Sequence, residues 1–131
     1  MICLCKYARN SDIPSDIRSN DNLLTALFDV RVGEKYDIFG QAIFNKKLLY
    51  LIDPDDASKP NWYPAELFEM VDGTLPETWE FDCFPDQFGS DLGAIWGYRE
   101  LVCDPDHFNE LAERTPDALL IFANYKRLQK P

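Results

Sequence analysis

The chain begins with an alternation: MICLCKY sets Ile2 and Leu4 against Cys3 and Cys5, the period-2 pattern of a short strand. ARNSDIPSDIRSND follows as a polar, proline-bearing connection, a loop or an insertion between strands. A clearer unit comes next, LFDVRVGEKYDIFGQAIFNKKLLYLIDPDD. Gly33 breaks its first run, and KYDIFGQAIF then alternates with Tyr36, Ile38, Ala42 and Phe44 on one face. Gly40 falls on that face, where a strand can bend sharply. Asn45-Lys46-Lys47 predicts a hairpin turn into LLYLI, a run buried on both sides or set at a barrel seam. Asp53-Pro54-Asp55-Asp56 ends that strand with strong turn chemistry. PNWYPAELFEMVDG reads as a short extended piece, a turn at Pro64 and a closing strand around Leu67 to Val71. Five short strands with tight turns predict a small, strongly bent barrel.

After Gly73 the pattern changes. TLPETWEFDCFPDQFGSDLGAIWGYRELV predicts two further strands, around 79–84 and 94–99, joined by the Asp- and Gly-rich loop PDQFGSDLG. Asp104-Pro105 marks a helix start, an N-cap followed by proline at the first helical position, with Phe108, Leu111 and Ala112 on its apolar side. Thr115-Pro116 repeats the signal for a second helix, where Lys126, Arg127 and Lys130 near the C-terminal end complement the helix dipole. The expected fold is α+β: a small bent antiparallel β-barrel with extra strands and a C-terminal helical segment. It is read as a single domain over 1–131, with the barrel in 1–73 and the extension of 74–131 packed on it.

A first strand bearing Cys, then VGEKY, then YLIDPDD, then WYPAELFEMVD resembles the small SH3-like barrel proteins of bacteria and their phages, over residues 1–73. The connection at 8–28 is longer than is usual in them. These motifs are structural, so the likeness bears on fold rather than function.

Composition sets outer bounds. Leu, Ile, Val and Phe supply 36 of 131 residues, about 27%, above the roughly 20% below which chains tend to stay disordered. No apolar run approaches the roughly 20 residues that span a bilayer. MICLCKYARNSD carries none of the features of a secretory leader, so a cytoplasmic location is expected.

Charge is more informative because of where it lies. The net charge is −10. Residues 51–110 hold fifteen acidic and two basic side chains, a net of −13, and all three tryptophans fall within them. Such a field repels nucleic acid and anionic membranes, and favours a cationic protein partner. The plainer reading is that an acidic surface keeps a small protein soluble.

Catalytic signatures are missing. The six glycines form neither GxGxxG nor GxxxxGK[ST], and no Ser elbow or HExxH is present. DPDDASKPNW starts like a calcium loop but lacks Gly at its sixth position and Glu at its twelfth. Cys3, Cys5, Cys83 and Cys103 are spaced unlike zinc knuckles and are read as free, largely buried thiols. His107, the single histidine, is read as a surface residue of the first helical turn. Carboxylate pairs such as Glu80 and Asp82 arise without function at this acidic density. No catalytic residue, metal or cofactor is expected.

What remains is a binding surface. WYP at 62–64, TWEFDCFPDQF at 78–88 and IWGYRE at 95–100 mix aromatics with carboxylates, the ingredients of interface hot spots and of arginine recognition. At least half of Trp79, Phe81, Trp96 and Tyr98 are expected in the core. Asp55, Asp56, Trp62, Asp82, Asp86 and Asp91 are the candidate partner-binding residues. With LPETWEF, AIWGYRELV and DPDHFNELAERTPDALLIF following the barrel, the chain resembles immunity proteins of contact-dependent growth inhibition and related polymorphic toxin systems. That resemblance implies a non-enzymatic cytoplasmic protein that occludes a cognate basic toxin domain, a nuclease being one such toxin. The alternative is an SH3-like adaptor of phage or mobile-element origin that binds a host protein. An enzyme acting through Cys83 or Cys103 would need a thiol of depressed pKa.

Overall fold

The Asn45-Lys46 turn organises the larger of two sheets. Both residues hold positive φ, 51° and 67°, the twist that a two-residue hairpin needs. They join β3 (Gly40–Phe44) to β4 (Lys47–Ile52) in a register running from Phe44↔Lys47 to Gly40↔Leu51. β5 (Asn61–Pro64) adds to β4, β8 (Leu92–Gly97) adds to β3, and β7 (Glu80–Cys83) adds to β8. The result is a five-stranded antiparallel sheet in the order β5-β4-β3-β8-β7. A second antiparallel sheet pairs β1 (Ile2–Cys5) with β2 (Lys35–Asp37) on one side and β6 (Phe68–Asp72) on the other. This computed structural model describes residues 1–17, 28–84 and 91–129. Among them the protein is α+β, with two antiparallel sheets and three helices, and the strands do not close into a barrel.

The LLYLI run shows why both faces of the large sheet are apolar. Tyr50 and Ile52 point into a core shared with the small sheet, among Cys3, Cys5, Tyr36, Ile38, Tyr63 and Leu67. Leu51, between them, points the opposite way into a core under the helices, among Ala42, Ile95, Leu101, Leu111 and Phe122. Period-2 alternation thus serves two cores at once. The run thins at its start, where Leu48 is exposed.

The helical half departs from the sequence pattern in one element. The expected strand over 94–99 ends at Gly97, and residues 99–103 instead form a helix, α1 (Arg99–Cys103). No side chain caps its N-terminus. Packing holds it: Leu101 and Val102 are buried, and Leu101 lies over the cross-strand pair Gly40 and Gly97. A Cβ added at Gly40 would come within 2.5 Å of Leu101 Cδ2, and one at Gly97 within 2.7 Å. Gly40 therefore matters for this close approach as well as for its place just after the β2–β3 break.

The other two helices begin where their caps predict. In α2 (Pro105–Glu113) the Asp104 side chain accepts a hydrogen bond from the Asp106 N–H at 3.0 Å, with Pro105 next to the cap. The helix stops at Arg114 in the left-handed region, φ 59°. Thr115 Oγ1 then accepts from the Ala118 N–H at 3.3 Å to start α3 (Pro116–Gln129). Ala118, Phe122 and Lys126, four residues apart, form the buried stripe of α3. Lys130 lies outside the described residues. No described helix is long and apolar enough to cross a membrane.

Candidate functional site

Two acidic regions are built differently. In the β4–β5 turn, Asp53 is buried and accepts hydrogen bonds from the backbone N–H groups of Ala57, Ser58 and Lys59. Lys126, buried on α3, reaches across to pair with both Asp53 and Asp56. Burial opposes the charge on Lys126, but the two carboxylates outweigh it and hold its pKa above the ordinary lysine value. Lys126 lies in the last turn of α3, where it was expected to serve the helix dipole, and it is also the counter-ion of this turn. Asp55 pairs with Arg31 at 3.2 Å, and Arg31 also bonds Glu34 at 3.0 Å. These groups line a polar cleft of about 370 Å³ in which carboxylates and cations already meet.

A polar network runs beneath the helices. His107, expected at the surface, is 1% exposed, because the helical turn that begins at Asp104 rotates it inward against Tyr98. The Tyr98 hydroxyl and His107 Nε2 stand 2.7 Å apart. Burial lowers the pKa of His107, against the upward pull of Asp104 and Glu100. Tyr98 stacks on Tyr125 at 4.4 Å, and the Tyr125 hydroxyl accepts from Trp79 Nε1 at 2.7 Å. Burial raises the Tyr98 and Tyr125 hydroxyls and lowers His107, disfavouring the charged form of each.

At the opposite edge of the large sheet no further strand is paired among the described residues. β7 is its outermost strand, and α1 packs beside it. Phe81 is 54% exposed and its ring lies 4.8 Å from that of Trp96, its cross-strand partner. Glu80 and Asp82 alternate with Phe81 and are exposed on the helix side. Cys103 Sγ donates to Glu80 Oε2 at 3.3 Å, which ties α1 to β7. Glu100, Asp104 and Asp106 continue the exposed acidic run along α1 and into α2. Glu80 raises the Cys103 thiol above its ordinary pKa, the direction opposite to an activated nucleophile. Cys3, deep in the first core, is pushed up to about 12 by burial.

The structure disperses the candidate residues. Asp55 and Asp56 sit on the β4–β5 turn, already ion-paired. Trp62, on β5, is half-buried against Phe108, their rings 5.8 Å apart. Asp82 lies on β7 at the other edge of the sheet, four strand spacings or about 19 Å away. It accepts from the Cys83 N–H at 2.8 Å, and exposed Asp91 accepts from the Leu92 N–H at 2.9 Å. Asp86 falls outside the described residues. Of the four strand aromatics, Tyr98 and Trp79 join the packed interior, while Phe81 and Trp96 form the edge pair. Of the thiols, Cys3 and Cys5 are buried, Cys83 is partly exposed and Cys103 is exposed, and none is bonded to another. The role of Asp53 went unread, since its partner lies 73 residues away in sequence. Comparison with known proteins returns no matching family model, no matching curated protein and no matching solved structure.

Proposed function

We propose that the protein is a non-enzymatic binding protein that covers a basic protein domain with its β7–α1 corner. The observation that carries this is the contrast in counter-charge. The carboxylates of the 53–56 turn are answered within the fold by Lys126 and Arg31. Those of the β7–α1 corner stand exposed beside an exposed aromatic, with Arg99 the one basic residue of β7, α1 and the α2 start. Aromatic anchors flanked by unanswered carboxylates suit a partner rich in arginine and lysine.

In biological terms the partner is a toxin domain and the protein its immunity factor in the cytoplasm, with the acidic corner standing in for the phosphate charge of a substrate cleft. Likeness to an SH3-like barrel is also part of the proposal. Its support is the way the chain changes sheets, once at Ile38–Phe39 between β2 and β3 and once at the 3-10 turn Ala65–Leu67 between β5 and β6.

Co-expression with the polypeptide encoded immediately upstream tests the function. Rescue of growth and co-purification that weakens at high salt are expected. If that polypeptide is toxic and the protein neither rescues nor binds it, immunity is overturned. Stable capture of a host complex would then favour the adaptor.

A further inference from the structure

The exposed edge of β7 has an order that a chance acidic patch does not. Phe84 N–H bonds Gly93 O at 2.7 Å, and the β7–β8 register runs from Glu80↔Gly97 to Cys83↔Ala94 without a shift. Antiparallel alternation then turns the backbone groups of Glu80 and Asp82 toward β8, and those of Phe81 and Cys83 outward. The Cys83 N–H is taken by Asp82 Oδ1, and the Trp79 N–H by Pro76 O at 3.1 Å. Among the described residues no strand pairs with the outward N–H and C=O of Phe81 between them, a donor–acceptor pair at the centre of the strand. Around this pair, side chains sort by face: carboxylates of Glu80 and Asp82 on the helix side, rings of Phe81 and Trp96 on the other.

Natural edges are blunted by short length, charge, proline or a bulge. β7 is short and carries two carboxylates but no lysine, proline or bulge, so its protection is of one sign and lapses toward a cationic strand. What it carries selects its occupant. A second copy paired antiparallel about Phe81 would set Glu80 opposite Asp82 of that copy, and like charges directly opposite are destabilising. An incoming strand with lysine or arginine on one face and an apolar residue on the other meets complementary chemistry on both. We propose that β7 takes up an extended, alternately basic and apolar segment of the partner as a sixth strand, centred on Phe81. This rests on the binding role proposed above and specifies its geometry.

The test measures binding of the upstream-encoded domain to the wild-type protein and three variants. Phe81→Pro removes the outward N–H while sparing the hydrogen bonds to β8, since the lost donor faces away from the ladder. Phe81→Thr keeps that donor and removes the ring. Glu80→Lys/Asp82→Lys reverses the charged face and leaves the backbone alone. Phe81→Pro and the charge reversal are each expected to weaken the complex at least tenfold, and Phe81→Thr to weaken it less than Phe81→Pro, with unchanged far-ultraviolet circular dichroism. Wild-type binding that Phe81→Pro leaves intact overturns the added strand, and spares the binding role where Glu80→Lys/Asp82→Lys still weakens the complex; should Phe81→Pro fail to fold, protection of the Phe81 amide from exchange in the wild-type complex decides, and its absence overturns the strand. If the wild type does not bind the domain, the binding role fails. The edge is then judged with a Lys-Val-Lys-Val-Lys peptide at millimolar concentration: slowed amide exchange at Phe81, absent with Glu-Val-Glu-Val-Glu, supports it, and unchanged exchange overturns it.

Discussion

The 53–56 turn and the β7–α1 corner are both acidic in sequence and opposite in structure. At the turn, one carboxylate is buried, three backbone N–H groups bind it, and a lysine from the far end of the chain neutralises it. At the corner, carboxylates alternate with an exposed ring, and their nearest bonds are to a thiol and to an adjacent backbone amide. Acidic composition therefore has two separate uses here. In one place it fastens a helix to a loop; in the other it is left facing outward. A count of charges cannot tell these apart, but the location of the counter-charge does.

The largest expected effect lies at the turn. Lys126→Met leaves Asp53 buried without its cation, and breaking a buried pair from one side costs about 3 kcal/mol or more. Urea unfolding should show the loss in the midpoint. A change near zero would mean that the three backbone N–H groups alone satisfy Asp53, and the turn would then resemble the corner.

An intermediate effect comes from His107, beneath the acidic residues of α1 and α2. Its folded pKa lies below the unfolded value of 6.5, so the unfolded chain binds more protons in the interval between them. The stability it contributes is fully present above pH 6.5 and is lost as pH falls toward the folded value. The slope for one proton is at most about 1.4 kcal/mol per pH unit. Unfolding midpoints between pH 7.5 and 5 should decline in the wild type and decline less in His107→Gln. Equal slopes would show that other groups set the acid limit.

The smallest effect on stability belongs to the corner. Glu80→Gln/Asp82→Asn should change unfolding by no more than about 0.5 kcal/mol, as exposed substitutions usually do. A clear loss would make these carboxylates structural and erase the contrast with the turn.

Legibility in the sequence followed the range of the interaction. The hairpin at Asn45-Lys46, the cap at Asp104-Pro105 and the start at Thr115-Pro116 are local, and each lies where the residues place it. The α1 helix was not legible, because no cap announces its five residues and it is held by Leu101 on glycines 61 and 4 positions earlier in the chain. His107 misled for a related reason: position in the first helical turn suggests solvent, yet α2 turns that residue onto Tyr98. The candidate carboxylates were chosen by exposure and turn chemistry, signals that Asp55 and Asp82 share. Only the three-dimensional path of α3 brings Lys126 to one acidic region and not to the other.

Binding to the upstream-encoded domain by two neutralised variants tests the contrast most directly. Asp55→Asn/Asp56→Asn removes charge from the turn, and Glu80→Gln/Asp82→Asn removes the same amount from the corner. Titration calorimetry at low and moderate salt should find the corner variant at least tenfold weaker with a shallower salt dependence, and the turn variant within twofold of wild type. The reverse order, or equal losses from both, would contradict the assignment of the binding face to β7 and α1.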